Sequence, residues 1–278
     1  MRFVSYRFDE VMSFGCVTDE GIADLRDPSV VGCGSLKEYI AAHFPALVPK
    51  GQLKAAISLN DVELLPPIPD PSKVICVATN YFEGEIVGQT RPQYPLLFTR
   101  FADAQTGHGT SILKPSVSDM FDFEGELAVI IGKTAEDVQE TEAMDYVAGY
   151  SCFNDGSARD WQKHSSQFTA GKNFYRSAGF GPWMVSSDEI DPAQLQLTTR
   201  VNGIVKQNIN TSQMIFSIAY LVSYVSRFTP LSPGDVVVTG TPSGFGSKRN
   251  PPEFLQVGDV IEVEIGGVGV LRNIIASS

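Results

Sequence analysis

Histidine is scarce in this chain, three residues in 278, and the scarcity narrows the chemistry before any motif is read. There is no GxSxG elbow, and only His43, His108 and His164 could serve as a base, so serine-hydrolase logic is poorly supported. No GKS or GKT follows the glycine-rich run from Gly240 to Gly246, which excludes a Walker loop. The four cysteines, Cys16, Cys33, Cys76 and Cys152, form no CxxC pair. No long apolar stretch opens the chain, so no secretory leader is expected, and reduced thiols in a cytoplasmic protein are the expectation. No run reaches the roughly 18 apolar residues that a membrane span needs. Positive charge is also short, with Lys+Arg 21 against Asp+Glu 32 and a net charge of −11. Such a surface repels phosphate backbones and anionic membranes, so neither nucleic acid nor a membrane is expected as a partner. A small anionic substrate would need a locally positive site.

What is present is a strand-rich pattern. MRFVSYRF and MSFGCVTD have strand character, and Ser35-Leu36-Lys37-Glu38 forms a capping box for a helix carrying Leu36, Ile40 and Phe44. Four prolines between Leu65 and Pro71 make a stiff linker. The boundary falls there, giving a small N-terminal α+β domain at 1–70 and a larger one at 71–278. In the larger part Lys73 to Thr79, Pro95 to Phe101, Val147 to Phe153, Asp235 to Thr241, Asp259 to Ile265 and Val268 to Ile274 are strand-like. Asn202-Gly203 is a type I′ hairpin signal between two further strands. Residues 214 to 227 carry Ile215, Ile218, Ala219, Val222 and Val225 at helical spacing. With 25 glycines and few helices, the expected class is α+β and mostly β.

The chain's most informative stretch is FDFEGELAVII, Phe121 to Ile131, where acids at every second place give way to an apolar run. Alternate residues of a strand share a face, so Asp122, Glu124 and Glu126 would point together. With Asp155 at the end of a neighbouring strand, Glu124 and Glu126 supply hard oxygen ligands of the kind Mg²⁺ or Mn²⁺ prefers. No cysteine or histidine lies beside them, which disfavours zinc. Spacing alone leaves two readings open, a metal site or acids decorating a solvated strand face.

The order of the segments goes further. KVICVATNY, DFEGELAVIIGK, DYVAGYSCFNDGSARDWQ, GKNF, GFGPW, VNG, MIFSIAYLVSYVSRFTPLSPGDVVVTGTPSGFG and VGDVIEVEIGGVGVLRN closely resemble the fumarylacetoacetate hydrolase family over about residues 71 to 275. The resemblance implies a mixed β-roll catalytic domain behind a smaller N-terminal one, and a homodimer. It implies Mg²⁺ or Mn²⁺ bound by Glu124, Glu126 and Asp155, with Asp122 beside the ligands rather than among them. It also implies a small anionic substrate, an enolisable 2-oxo or 1,3-dioxo acid. Lys172 would add positive charge beside the developing oxyanion, and Thr241 would bind the substrate carboxylate. Arg100 stands near the place where many members carry a lysine, so it becomes a substrate-binding candidate with a different tail in view. Arg159 and Gln162 are equally compatible with the site and with a helix surface.

The pattern breaks after the first strand of the larger part. Hydrolytic members carry NYxxHxxE, whose histidine and glutamate activate water, whereas here Gly84 and Val87 take those places. Glu83 or Glu85 could serve as replacement base if closure of that segment desolvated it. Three functional readings follow. The first is C–C bond hydrolysis of an acylpyruvate-like acid. The second is an isomerase, tautomerase or decarboxylase on a related acid, which needs no attacking water. The third is a metal- and ligand-binding homologue of little activity.

Overall fold

The computed structural model describes residues 1–26, 32–47, 53, 55, 57–82 and 91–278. Its centre is the strand Gly125–Ile131, every residue of which is buried. Leu127, Val129 and Ile131 enter one apolar cluster, while Ala128 and Ile130 enter another on the opposite face. Burial on both faces is why this segment reads as a continuous apolar run rather than an alternation.

The strand pairs antiparallel with Val147–Asn154 on one side and Val236–Val238 on the other. Val236–Val238 pairs parallel with Val74–Ala78, which pairs antiparallel with the edge strand Leu96–Arg100. Beyond Val147–Asn154 come Ala178–Ser186, Arg2–Phe8, Val11–Thr18 and Gly21–Asp24, completing the path of a mixed, eleven-stranded sheet among the described residues. A second sheet of five strands, Ile204–Asn210, Gln196–Val201, Val260–Ile265, Gly269–Ser277 and Ile112–Lys114, packs over one face. Leu197, Val263, Ile265 and Leu271 of that sheet meet Leu127 and Val129, and the helix Ile218–Ser226 closes the cluster with Leu221, Val222 and Val225. The mostly-β, mixed-sheet class expected from the sequence is the class observed.

Local signals explain several elements directly. Ser35 caps the helix Leu36–His43 by accepting from the Glu38 N–H, and the Glu38 carboxylate accepts from the Gly34 N–H at 2.7 Å. Asn202 and Gly203 have φ of 51° and 77°, the pair of left-handed conformations a type I′ turn requires. The strands before the proline-rich stretch extend the main sheet through Arg2–Phe8, and Phe3, Phe14 and Tyr39 share a cluster with Phe153, Phe180 and Met184.

Two elements differ from the sequence reading. The acidic stretch is not one strand, since Phe121–Asp122 pairs separately with Ser157–Ala158 and the chain breaks its ladder at Phe123 and Glu124. At that break the Glu124 N–H donates to Asn154 Oδ1 at 3.1 Å, and the Glu124 carbonyl accepts from the Asp155 N–H at 2.8 Å. The helix expected from 214 starts only at Ile218, because the preceding turn docks on Asn80. The Asn80 carbonyl accepts from the Ile215 N–H, and its side chain both accepts from and donates to the Phe216 backbone. No helix among the described residues is long and apolar enough to cross a membrane.

A shared core has a thermodynamic consequence. Phe14→Ala should lower unfolding free energy by about 3–5 kcal/mol, and the loss should appear in one thermal transition for the whole chain. An early transition confined to the N-terminal strands, with the remainder unmoved, would contradict the shared core.

Candidate metal centre and its cavity

Glu124, Glu126 and Asp155 meet where the central strand and its neighbour Val147–Asn154 end side by side. One oxygen from each lies within 4.8 Å of the others, and all three residues are buried. Gly125 lets the chain pass close beneath the second sheet, because a Cβ there would lie 2.0 Å from Thr199 Oγ1. Its N–H donates to Gln207 Oε1 at 2.9 Å, and Gln207 in turn donates to Thr241 Oγ1 at 2.8 Å. The Thr241 hydroxyl donates to the Gly125 carbonyl at 3.0 Å. The turn that carries Thr241 is thus tied to the strand that carries Glu126.

The acids are not alone. Lys172 Nζ donates to Glu124 Oε2 at 2.6 Å and to Asp155 Oδ2. Arg159 Nη2 donates to Glu124 Oε1 at 2.6 Å, its Nε donates to Asp122 Oδ2 at 2.8 Å, and its Nη1 donates to Gln162 Oε1 at 3.0 Å. Arg100 Nη1 donates to Asp155 Oδ1 and to the Gly156 carbonyl, and Nη2 donates to Ser177 Oγ at 2.8 Å. Asp122 also accepts from the N–H groups of Gly246 and Ser247, at 2.6 and 2.8 Å. Four acids therefore face three cations in the cluster, and Glu126 is the acid left without an ion-pair partner among the described residues. Its described partner is the Gly240 N–H, at 2.5 Å.

The protonation behaviour follows from that arrangement. Burial by itself would raise the Glu124 carboxyl, but Arg159 and Lys172 outweigh it and hold the group at about 2. Burial, reinforced by Asp155 and Glu124, pushes Glu126 well above the usual carboxylate range. Burial would lower Lys172, but the charges of Asp155 and Glu124 overcome it and raise the ammonium.

Whether these residues fit a divalent cation can be judged from what stands among them. A lysine ammonium bridges Glu124 and Asp155, so the protein itself places a cation between two of the three carboxylates. The third, Glu126, has no cation among the described residues, and the donor set contains only hard oxygens. That combination suits Mg²⁺ or Mn²⁺.

A cavity of about 480 Å³ opens onto the cluster, with Glu124, Glu126, Lys172 and Thr241 on its inner wall and Phe98, Phe168 and Phe245 among its apolar lining. A larger cavity, about 600 Å³, lies around Phe44, Lys133 and Ser187, away from the three carboxylates. Chemistry, rather than volume, selects the first. Thr79 on its wall has φ of 55°, an unusual conformation for a β-branched residue.

The structure brings together Glu124, Glu126, Asp155, Lys172 and Thr241. Arg100 is buried behind Asp155 and reaches the centre through it. Glu83 and Glu85, with Gly84 and Val87, lie outside the described residues. His108 stands elsewhere, accepting from the Arg272 N–H at 3.1 Å on the Gly269–Ser277 strand. Arg159, left open by the sequence, is a central buried cation bridging Asp122 and Glu124. Its signal was the arginine of Asn154-Asp155-Gly156-Ser157-Ala158-Arg159, which returns to the acidic strand after one short turn.

Comparison with known proteins gives the family. The family described as Fumarylacetoacetate (FAA) hydrolase C-terminal matches residues 73–276. The chain belongs to the fumarylacetoacetate hydrolase family. Among family relatives, the oxaloacetate tautomerase YisK of Bacillus subtilis is 42% identical over 98% of this chain and 99% of its own. A fumarylacetoacetate hydrolase from Exiguobacterium antarcticum superposes with a TM-score of 0.90 at 36% identity, covering 100% of both chains. A 5-carboxymethyl-2-hydroxymuconate delta-isomerase from Mycobacterium smegmatis superposes at 0.82 with 31% identity, covering 100% of this chain and 99% of that one. The family thus includes hydrolytic and isomerising members of the same overall architecture.

Removing the internal cation should expose the balance. Lys172→Met, measured by denaturant unfolding in chelator, is expected to lose about 3 kcal/mol because two buried carboxylates each lose one of their two cationic partners, Arg159 and Arg100 remaining. Adding Mg²⁺ should recover more of that stability than it adds to the wild type. Equal stability of variant and wild type in chelator would contradict the assigned role.

Proposed function

We propose that the protein is a divalent-metal-dependent tautomerase or isomerase acting on an enolisable 2-oxo acid. The observation that carries this reading is the convergence of Glu124, Glu126 and Asp155 with the Lys172 ammonium at the inner end of one cavity. In it, Glu124, Glu126 and Asp155 hold Mg²⁺ or Mn²⁺. Bound there, the ion would supply positive charge to the oxygen that turns anionic as a proton passes from carbon to a base, for which Glu83 or Glu85 is the candidate.

The chain's own groups divide the remaining work. An ammonium has three N–H donors, and Lys172 uses two of them on Glu124 and Asp155, leaving one for a substrate oxygen. Its charge then adds to that of the metal where an oxyanion forms. Arg159 fixes Glu124 from one side while Asp122 fixes Arg159, so the carboxylate is oriented before substrate arrives. Arg100 does the same for Asp155. In this reading Arg100 acts on substrate through Asp155. The Thr241 hydroxyl proton is directed at Gly125, so the hydroxyl orients its turn, and the backbone of that turn meets the substrate carboxylate. Phe98, Phe168 and Phe245 keep water from the reacting end.

Proton transfer at carbon is preferred over hydrolysis for two reasons. A relative named as an oxaloacetate tautomerase aligns with nearly the whole chain, and Gly84 and Val87 replace the residues that activate water in hydrolytic members. Oxaloacetate is accordingly the first substrate to try. C–C hydrolysis stays as a second reading because a full-length structural neighbour is described as a fumarylacetoacetate hydrolase. Glu83 or Glu85 would be its base. All assigned groups lie in 71–278, which we take as the catalytic part, working as a cytoplasmic homodimer.

The distinguishing assay follows enol absorbance and products together. With Mg²⁺ or Mn²⁺ restored after chelation, enol-oxaloacetate should convert to the keto form with no cleavage product. Lys172→Met should lower kcat by about 10²–10³-fold, and Glu124→Ala should lose metal affinity. Two acids with solvent oxygen incorporated, from an acylpyruvate, would instead establish the hydrolytic reading. Carbon dioxide release above the metal-only rate would indicate decarboxylation. Metal-dependent binding without turnover of any of these would leave a binding homologue.

A further inference from the structure

The cavity has an outer end as well as an inner one, and its charge is different. At the inner end Arg159 and Lys172 are both engaged by carboxylates. Farther out the same cavity is lined by Lys163 and Lys248, both exposed. Neither ammonium has an ion pair, hydrogen bond or ring contact among the described residues, in contrast to every other described lysine. Lys37 and Lys73 pair with Asp70 and Asp235, and Lys206 pairs with Glu253. Lys114 donates to the Ser118 carbonyl, and Lys133 lies over Tyr146. In a chain of net charge −11, the two described lysines left without partners line one cavity.

Their neighbours are arranged so that they stay unpaired. Arg249, next to Lys248, is held by Glu253 at 2.9 Å, so that acid is already shared between Arg249 and Lys206. Asp160, three residues before Lys163, accepts from Ser118 Oγ at 2.6 Å and from the Trp161 N–H at 3.0 Å. The same buried ion pair positions both elements. Arg159 opens the helix Arg159–Gln162 that Lys163 caps, and Asp122 accepts from Gly246 and Ser247 in the turn Gly246–Lys248. Asp122 and Arg159 are bonded to each other at 2.8 Å. The pair that orients Glu124 therefore also positions the two elements that carry the exposed lysines of the same cavity.

We propose that Lys163 and Lys248 form a second anion subsite that selects a substrate with a second carboxylate, a 2-oxo diacid, over the corresponding monoacid. The inference rests on the reading above, in which the 2-oxo acid end lies at Glu124, Glu126 and Asp155; the distal carboxylate then reaches the lysines. Charge-assisted contacts to two ammonium groups give the preference, and their exposure makes it salt-sensitive.

The test measures dissociation constants of oxaloacetate and pyruvate by calorimetry on Mg²⁺-loaded protein, for wild type, Lys163→Gln, Lys248→Gln and the double variant. The double variant is expected to weaken oxaloacetate about tenfold and change pyruvate by less than about twofold, each single variant giving part of the loss. Lys→Arg at both positions should keep the diacid preference, and about 0.5 M NaCl should shrink it in the wild type. Unchanged oxaloacetate binding in the double variant would overturn the proposal, as would an equal loss for both acids. Enol turnover, followed alongside, separates the two levels. A wild type that turns over neither acid but shows the lysine-dependent preference retains the subsite and loses the tautomerase reading; turnover without that preference does the reverse.

Discussion

Burying Asp122, Glu124, Glu126 and Asp155 in one cluster is tolerable only because Arg100, Arg159 and Lys172 are buried with them, since an unpaired charge out of water costs several kcal/mol. The pairing is nearly complete but not quite. Lys172 serves two acids, Arg159 serves two, Arg100 serves Asp155 again, and Glu126 is left with a backbone N–H. That residual imbalance, at the end of a cavity, gives the cluster its capacity for a further cation. A cluster with one more basic residue would be a structural ion-pair network and nothing else.

The fold supplies the rigidity this balance needs. Glu126 stands on a strand packed on both faces, and Asp155 follows directly on that strand's antiparallel neighbour. Two carboxylates are thereby fixed by the centre of the main sheet. Glu124 sits at the break in the ladder and is held instead by side chains, Asn154 behind its N–H and Arg159 and Lys172 on its oxygens. The second sheet presses Thr199 and Gln207 against Gly125 and so brings the Thr241 turn to the same place.

Much of this was legible in the residues, and the parts that were not share a cause. Short-range signals worked: the Ser35 cap, the Asn202-Gly203 turn and the apolar run of the central strand each depend on neighbours in sequence. The acidic alternation suggested one strand face, but the ladder breaks at Glu124 because Asn154, thirty residues away, takes its N–H. The helix start at Ile218 was hidden for the same reason, as Asn80 captures the turn before it from 136 residues away. Glu124, Glu126 and Asp155 were identified because their spacing and motif are sequence properties. The central place of Arg159, and that of Arg100 behind Asp155 rather than on the cavity wall, required the three-dimensional pairing. Lys163 and Lys248 carry no motif, and nothing in the sequence relates them to each other.

The function proposed for this site requires the three carboxylates to hold one divalent cation that a 2-oxo acid can reach. Mn²⁺ binding followed by electron paramagnetic resonance and water-proton relaxation tests this directly. One Mn²⁺ per chain should bind, with solvent water still in its coordination sphere, and oxalate should displace that water. Glu126→Ala should release the ion. Mn²⁺ that stays fully hydrated in the presence of the protein, or binds undiminished when Glu126 is gone, would contradict the account.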